Sequence, residues 1–271
     1  MAQHPPLPFP LILRSASLFA LLHGLGFLVV GLRTRDRGRA TLHAHFACML
    51  VASSTLAWLG FRAWFFAPTR GSSQPSIDRL GGYDRSGETI AAIFATTSCY
   101  NALVASQCKP LQGKTLVCTL GLPQFLFHHL LACLISCCAL AARTGLHFAS
   151  FFFGAVELSS VPFALIELMR ALPKLRSKHA AAFDLATQSF ALAFIPLRLL
   201  YWPSVTARLL SDSTREVLNG PDASWGRPPC STPLVCATLL ATALLSALQV
   251  WWGGRLLFFW RNPGLREYYD G

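Results

Sequence analysis

The chain has 271 residues, 53% of them hydrophobic and only 13% charged, with a formal net charge of +11 and a mean hydropathy of +0.46. Soluble domains carry roughly 25% charged residues, so this composition argues against a soluble enzyme, and it excludes intrinsic disorder, which needs low hydrophobicity. A polytopic membrane protein is expected.

A helix crosses the hydrocarbon with about 20 mostly apolar residues. Taken in chain order, seven stretches qualify: Leu11–Leu32, Phe46–Phe66, Thr89–Ser106, Leu120–Ala142, Leu146–Met169, Phe183–Trp202 and Leu234–Trp252. The third is the shortest and is rich in Thr, Ser and Ala. The first is too long for a signal peptide core, and the run Arg33-Thr34-Arg35-Asp36-Arg37-Gly38-Arg39 after it reads as a cytoplasmic stop.

Loop charge predicts the orientation. The loops after spans one, three and five carry Arg33 to Arg39, Lys109 with Lys114, and Arg170 to Lys178. The intervening loops are balanced: Arg70, Arg79 and Arg85 against Asp78, Asp84 and Glu88, for example. This alternation places the N-terminus in the lumen and the C-terminus in the cytosol. It also accounts for the net charge without a nucleic-acid partner, because the cations sit on separate loops with no interleaved aromatic platform. Trp64-Phe65-Phe66, Tyr201-Trp202 and Trp251-Trp252 fall at span ends, where an interfacial aromatic belt is expected. The nine cysteines fall mostly within spans and give no disulfide framework. The chain divides into an N-terminal helix with its basic loop (1–41), a membrane domain (42–261) and a short tail (262–271).

Polar residues that remain inside spans are the informative ones. At 1.5 Å per residue, His23, Tyr100, Asn101, His128, His129 and Glu157 all fall roughly 12–18 Å deep, near the middle of a ~30 Å core. Pro123, Pro162 and Pro196 lie close to His128, Glu157 and Arg198, and each is expected to disturb its helix there. Carbonyls freed at that depth must face protein or a watered cavity, which points to a cavity formed mainly by spans four, five and six. A single intramembrane His such as His23 serves more often as an interhelical hydrogen-bonding group than as a catalyst. Adjacent His128 and His129 can both border one cavity, where imidazole serves as base or nucleophile. The spacing of His129, Cys133 and Cys137 is compatible with metal, but buried Cys is a common hydrophobe and no further ligand spacing appears, so no metal is expected. Glu157 is either protonated or paired, with the histidines or with Arg198. Glu167 and Arg170, at i and i+3, make a structural pair.

At these residues the chain resembles the TLC-domain family, which includes translocation-chain-associated membrane proteins, ceramide synthases and several lipid-homeostasis proteins. Three segments carry the resemblance: Gln124-Phe125-Leu126-Phe127-His128-His129-Leu130-Leu131, Gly154 to Phe163 around Glu157-Leu158-Ser159-Ser160, and Phe194-Ile195-Pro196-Leu197-Arg198. Tyr100-Asn101 is similar to the family's Tyr-Asp in the third helix. The resemblance implies an all-α bundle with six helices around a lipid-accommodating cavity and the His pair facing inward. In ceramide synthases that pair belongs to a site that acylates a sphingoid amine from acyl-CoA. Here Leu134-Ile135-Ser136-Cys137-Cys138 replaces the family's Phe-Ser-Tyr stretch, and Glu157-Leu158-Ser159-Ser160 replaces its His-Asp motif.

The resulting expectation is an endoplasmic-reticulum protein that binds membrane lipid and acts in lipid homeostasis. The alternatives are a sphingoid N-acyltransferase and, last, a membrane chaperone or cargo receptor. His128, His129 and Glu157 are the candidate catalytic residues. His23, Tyr100, Asn101, Ser159, Ser160 and Arg198 are the candidate ligand contacts. No cofactor is expected beyond acyl-CoA as cosubstrate of an acyltransferase. The expected partners are sphingolipid, phospholipid or a fatty acyl chain, and a homo- or heterodimer is compatible with such a chain.

Overall fold

A computed structural model describes residues 9–32, 37–66, 76–107, 122–219 and 232–261. The helices are α1 (Phe9–Gly31), α2 (Arg37–Phe65), α3 (Ser76–Gly81), α4 (Arg85–Gln107), α5 (Leu122–Ala142), α6 (Leu146–Ala149), α7 (Ser160–Ala171), α8 (Pro173–Lys178), α9 (Ala180–Phe194), α10 (Trp202–Asn219) and α11 (Thr232–Arg261). A π turn (Ser150–Gly154) and a 3-10 turn (Ala155–Leu158) join α6 to α7, and a second π turn (Ile195–Tyr201) joins α9 to α10. Among the described residues there is no strand, so the fold is an all-α polytopic bundle. The loop cations of 33–36 and 108–121, much of the sixth loop (220–231) and the tail (262–271) lie outside the described residues.

Five helices among the described residues are long and apolar enough to cross a membrane: Phe9–Val29, His43–Phe65, Gln124–Ala142, Ala180–Arg215 and Val235–Phe258. Leu146–Leu158 and Ser160–Arg170, bent by 41° at their junction, make a sixth when taken as one broken span. The expected third span corresponds to α4, a helix of 23 residues, but it falls outside that set. Thr96, Thr97, Ser98 and Asn101 make it more polar than its neighbours, and all four are buried against protein. Thr96 and Thr97 return their hydroxyls to the carbonyls of Ala92 and Ile93 in the preceding turn.

The proline expectations divide. Pro162 follows the break before α7, and Pro196 lies in the second π turn, so both mark irregular backbone. Pro123 instead occupies the first turn of α5, where a missing N–H breaks no intrahelical bond, and α5 runs through without interruption.

Helix α2 is the central element, touching α1, α4, the irregular turns before α7, and α7 itself. Ala44, Ala52, Ala57 and Ala63 are buried along it, and small side chains let helix axes approach closely. The tightest approach is Gly60 on α2 to Gly154 in the first π turn. A Cβ on Gly154 would lie 2.5 Å from the Gly60 Cα, and one on Gly60 would collide with the backbone of Gly154 and Ala155. The extra residue of the π turn carries the chain past this crossing.

Above the crossing lies an aromatic layer. Phe94 stacks on Phe153 with ring centroids 4.7 Å apart, and Phe152 meets Trp202 edge-on at 4.7 Å. The expected aromatic belt is therefore only partly a belt. Phe65, Phe66 and Trp251 face outward. Trp64 turns inward to donate Nε1–H to the Tyr201 hydroxyl at 3.1 Å, and buried Trp202 donates to Ser246 Oγ at 2.8 Å. An indole buried between helices needs a partner for its N–H, and both have found one.

Arg79 of α3 forks onto Asp212 near the end of the Ala180–Arg215 run, Nε to Oδ2 at 2.9 Å and Nη2 to Oδ1 at 2.8 Å. Beside it Tyr83 donates to Glu88 Oε2 at 2.7 Å, and that bond holds the phenol above its ordinary range.

Candidate functional site

The polar residues of the spans form three groups. In the first, the broken backbone before α7 positions Glu157, Ser159 and Ser160, and the second π turn presents Arg198 to them. Arg198 Nε donates to Ser159 Oγ at 2.7 Å. Its Nη2 reaches Ser160 Oγ at 3.0 Å, the Val156 carbonyl at 3.3 Å and Glu157 Oε1 at 3.4 Å. Nη1 donates to Gln249 Oε1 of α11 at 3.4 Å. The other carboxylate oxygen of Glu157 accepts from Ser53 Oγ of α2 at 3.0 Å. Both charges are buried, so the alternatives for Glu157 resolve to pairing with Arg198. A guanidinium taken out of water needs its five N–H donors engaged. Five oxygens, four from residues 156–160 and one from Gln249, engage Nε–H, both Nη2 hydrogens and one Nη1 hydrogen.

The 3-10 turn is what makes the Val156 carbonyl available. Ser159 bonds back to it by N–H at 3.2 Å and by Oγ at 2.8 Å, an i to i−3 pattern that leaves the oxygen tilted toward Arg198.

The second group is the His pair on α5. The His128 and His129 rings meet edge-on at 5.0 Å. His129 Nδ1 is 3.4 Å from Asn101 Nδ2 of α4, and its ring sits 4.3 Å from Phe125. His128 packs edge-on against Trp252 of α11 at 5.0 Å and lies within electrostatic reach of Arg198. That reach joins the first two groups.

The third group lies at the α1, α2 and α4 junction. His23 Nδ1 and the Tyr100 hydroxyl are 2.6 Å apart, Phe19 stacks on Tyr100 at 5.7 Å, and buried His45 lies 5.5 Å from the same ring. His23 is thus an interhelical hydrogen-bonding group that ties the first helix to the fourth. His45 in turn lies within electrostatic reach of His129.

All nine expected site residues therefore fall into this set, but Tyr100 and Asn101 serve different groups. Neighbours on one helix point about 100° apart, so one binds His23 and the other His129. Sequence reasoning missed Ser53, His45, Gln249 and the inward face of Trp252. Gln249 was visible as a strongly polar residue in the last apolar run. His45 was hidden because the second span was started one residue after it.

Two apolar cavities, of about 40 and 30 Å³, lie toward the Gly145 end of the bundle and are lined by residues such as Ala139, Thr144 and Leu209. Neither is lined by the His pair, Glu157 or Arg198. Around the polar groups, several buried atoms have no hydrogen-bond partner: His45 Nδ1, Asn101 Oδ1, His128 Nδ1, Gln249 Nε2 and Trp252 Nε1. Each unpaired atom costs about 1–3 kcal/mol.

A family model described as TLC domain matches residues 43–257, from His43 in α2 to Leu257 in α11. No curated protein and no solved structure matches the chain.

Proposed function

The chain belongs to the TLC-domain family, and from that membership we propose that it binds membrane lipid within its helical bundle and acts in membrane lipid homeostasis. One observation carries this reading. Unpaired polar atoms from α2, α4, α5 and α11 are buried inside a bundle that exposes many large hydrophobic side chains. Polar groups at such depth are costly to leave unpaired and are functional by default. The Lys and Arg bias of the loops supports a lumenal N-terminus and a cytosolic C-terminus, and the endoplasmic reticulum is proposed from the family resemblance.

A second reading is favoured by one feature only. His128 keeps an unpartnered Nδ1 beside His129, an arrangement suited to a general base or acyl acceptor in N-acylation of a sphingoid amine from acyl-CoA.

Native mass spectrometry of the purified chain with its co-purified lipid tests the first reading, with transfer from acyl-CoA to sphinganine measured alongside. Retained phospholipid without transfer is the expected outcome. Absence of any retained lipid overturns the lipid reading. Transfer by wild type that His128→Ala and His129→Ala each lower by about 10²-fold or more would establish the enzyme instead.

A further inference from the structure

The unpartnered atoms near the His pair are not chemically random. Gln249 is only 1% exposed. Its Oε1 accepts from Arg198 Nη1, which fixes the amide orientation, since the flipped form would set an NH2 against a guanidinium. Its free Nε2 is therefore a donor. One helical turn further on the same face of α11, Trp252 holds a second free donor at Nε1. An indole N–H cannot accept under any protonation state. His128 stands against that indole with Nδ1 unpaired.

The charge of the patch is balanced. Arg198 is answered by Glu157, so an added carboxylate or phosphate would stand as an uncompensated buried charge. An ammonium would bring only donors to Gln249 Nε2 and Trp252 Nε1, which are donors themselves. What these two nitrogens call for is a neutral acceptor.

Position narrows the class. Measured from the ends of the apolar helices, His128 lies about 6 Å from Gln124 and Trp252 about 9 Å from Phe258, shallower than the roughly 12–18 Å expected from the sequence. Both are at the same end of the bundle. Phe127 and Trp251, beside them on the two helices, are exposed on the apolar surface, so the seam between α5 and α11 adjoins lipid. The neutral acceptors that bilayer lipids bring to the edge of the hydrocarbon are carbonyls, esters in glycerolipids and an amide in sphingolipids, and the amide brings an N–H donor of its own beside it.

We propose that Gln249 Nε2 and Trp252 Nε1, with His128 beside them, form a subsite for the ester carbonyl of a glycerolipid entering between α5 and α11. The proposal rests on the lipid-binding reading and names the group recognised. Both nitrogens are covered by neighbouring side chains, so a carbonyl reaches them only when those side chains move aside.

The test uses the purified full chain in detergent. It is offered equal amounts of a diester phosphatidylcholine and its diether analogue, which has the same headgroup and chain length but lacks the carbonyls. Native mass spectrometry reads the ratio retained. Wild type should favour the diester about tenfold, and Trp252→Phe and Gln249→Met should each reduce that ratio by about three- to tenfold. Phe keeps the aromatic surface and removes only the indole donor, whereas Met keeps the length but also removes the Oε1 that accepts from Arg198, so Trp252→Phe is the deciding variant. Because the readout is a ratio, a variant that folds less well lowers both lipids together, and an unchanged ratio overturns the subsite. Equal retention of the two lipids by wild type overturns the subsite and leaves lipid binding standing. Retention of neither overturns the lipid reading with it.

Discussion

Arg198 lies 3.4 Å from Glu157 and only 2.7 Å from Ser159. The guanidinium is held more closely by a neutral hydroxyl than by its carboxylate, and the ion pair is one strand of a larger net. Glu157→Gln keeps one acceptor for Arg198 and an NH2 that can donate to Ser53 Oγ, but it too loses the counter-charge, and should lower stability by about 2 kcal/mol. Glu157→Leu leaves a buried cation without its counter-charge and should cost about 3–5 kcal/mol. Thermal melting in detergent separates the two, and equal losses would contradict the network.

The Gly60 and Gly154 crossing gives a steric prediction. Gly60→Ala and Gly154→Ala each place a methyl group against backbone, which cannot turn aside, and overpacking costs about 1–3 kcal/mol. Gly24 of α1 has open space around it, so Gly24→Ala should be neutral or stabilising by up to about 1 kcal/mol. Melting temperatures that fall alike for all three variants would refute the contact.

The clamp between Arg79 and Asp212 depends on two parallel N–H donors. Arg79→Lys keeps the charge but loses the fork. It should loosen α3, seen as faster amide exchange over 76–81 with no change in the spans. Unchanged exchange there would mean that charge alone holds the contact.

Orientation is checked by glycosylation acceptors. One placed within 220–231 should be modified in microsomes, and one placed between Lys174 and His179 should not. The reverse pattern would invert the orientation.

Much of the bundle was legible because a span announces itself by apolar length alone, which needs no tertiary information. The breaks at Pro162 and Pro196 were legible for a similar reason, since a missing N–H is a local fact. Pro123 misled because the same residue is harmless in a first turn, and only the start of α5 at Leu122 decides which case holds. Glu157 and Arg198 could be recognised as needing partners, but Ser53 and Gln249 could not be assigned to them. Their positions depend on how α2 and α11 rotate about their axes, and a helix that is apolar nearly all round carries little periodic signal to set that rotation.

The run from Ala180 to Arg215 has a mechanical meaning. It is 36 residues without a sharp bend, roughly 54 Å at 1.5 Å per residue, against a hydrocarbon core of about 30 Å. A large part of it therefore stands outside the bilayer. Arg198 lies near its middle and Asp212 near its outer end, where Arg79 grips it. One helical run thus carries two polar anchors at different depths, the Arg198 net at its middle and the Arg79 clamp near its outer end.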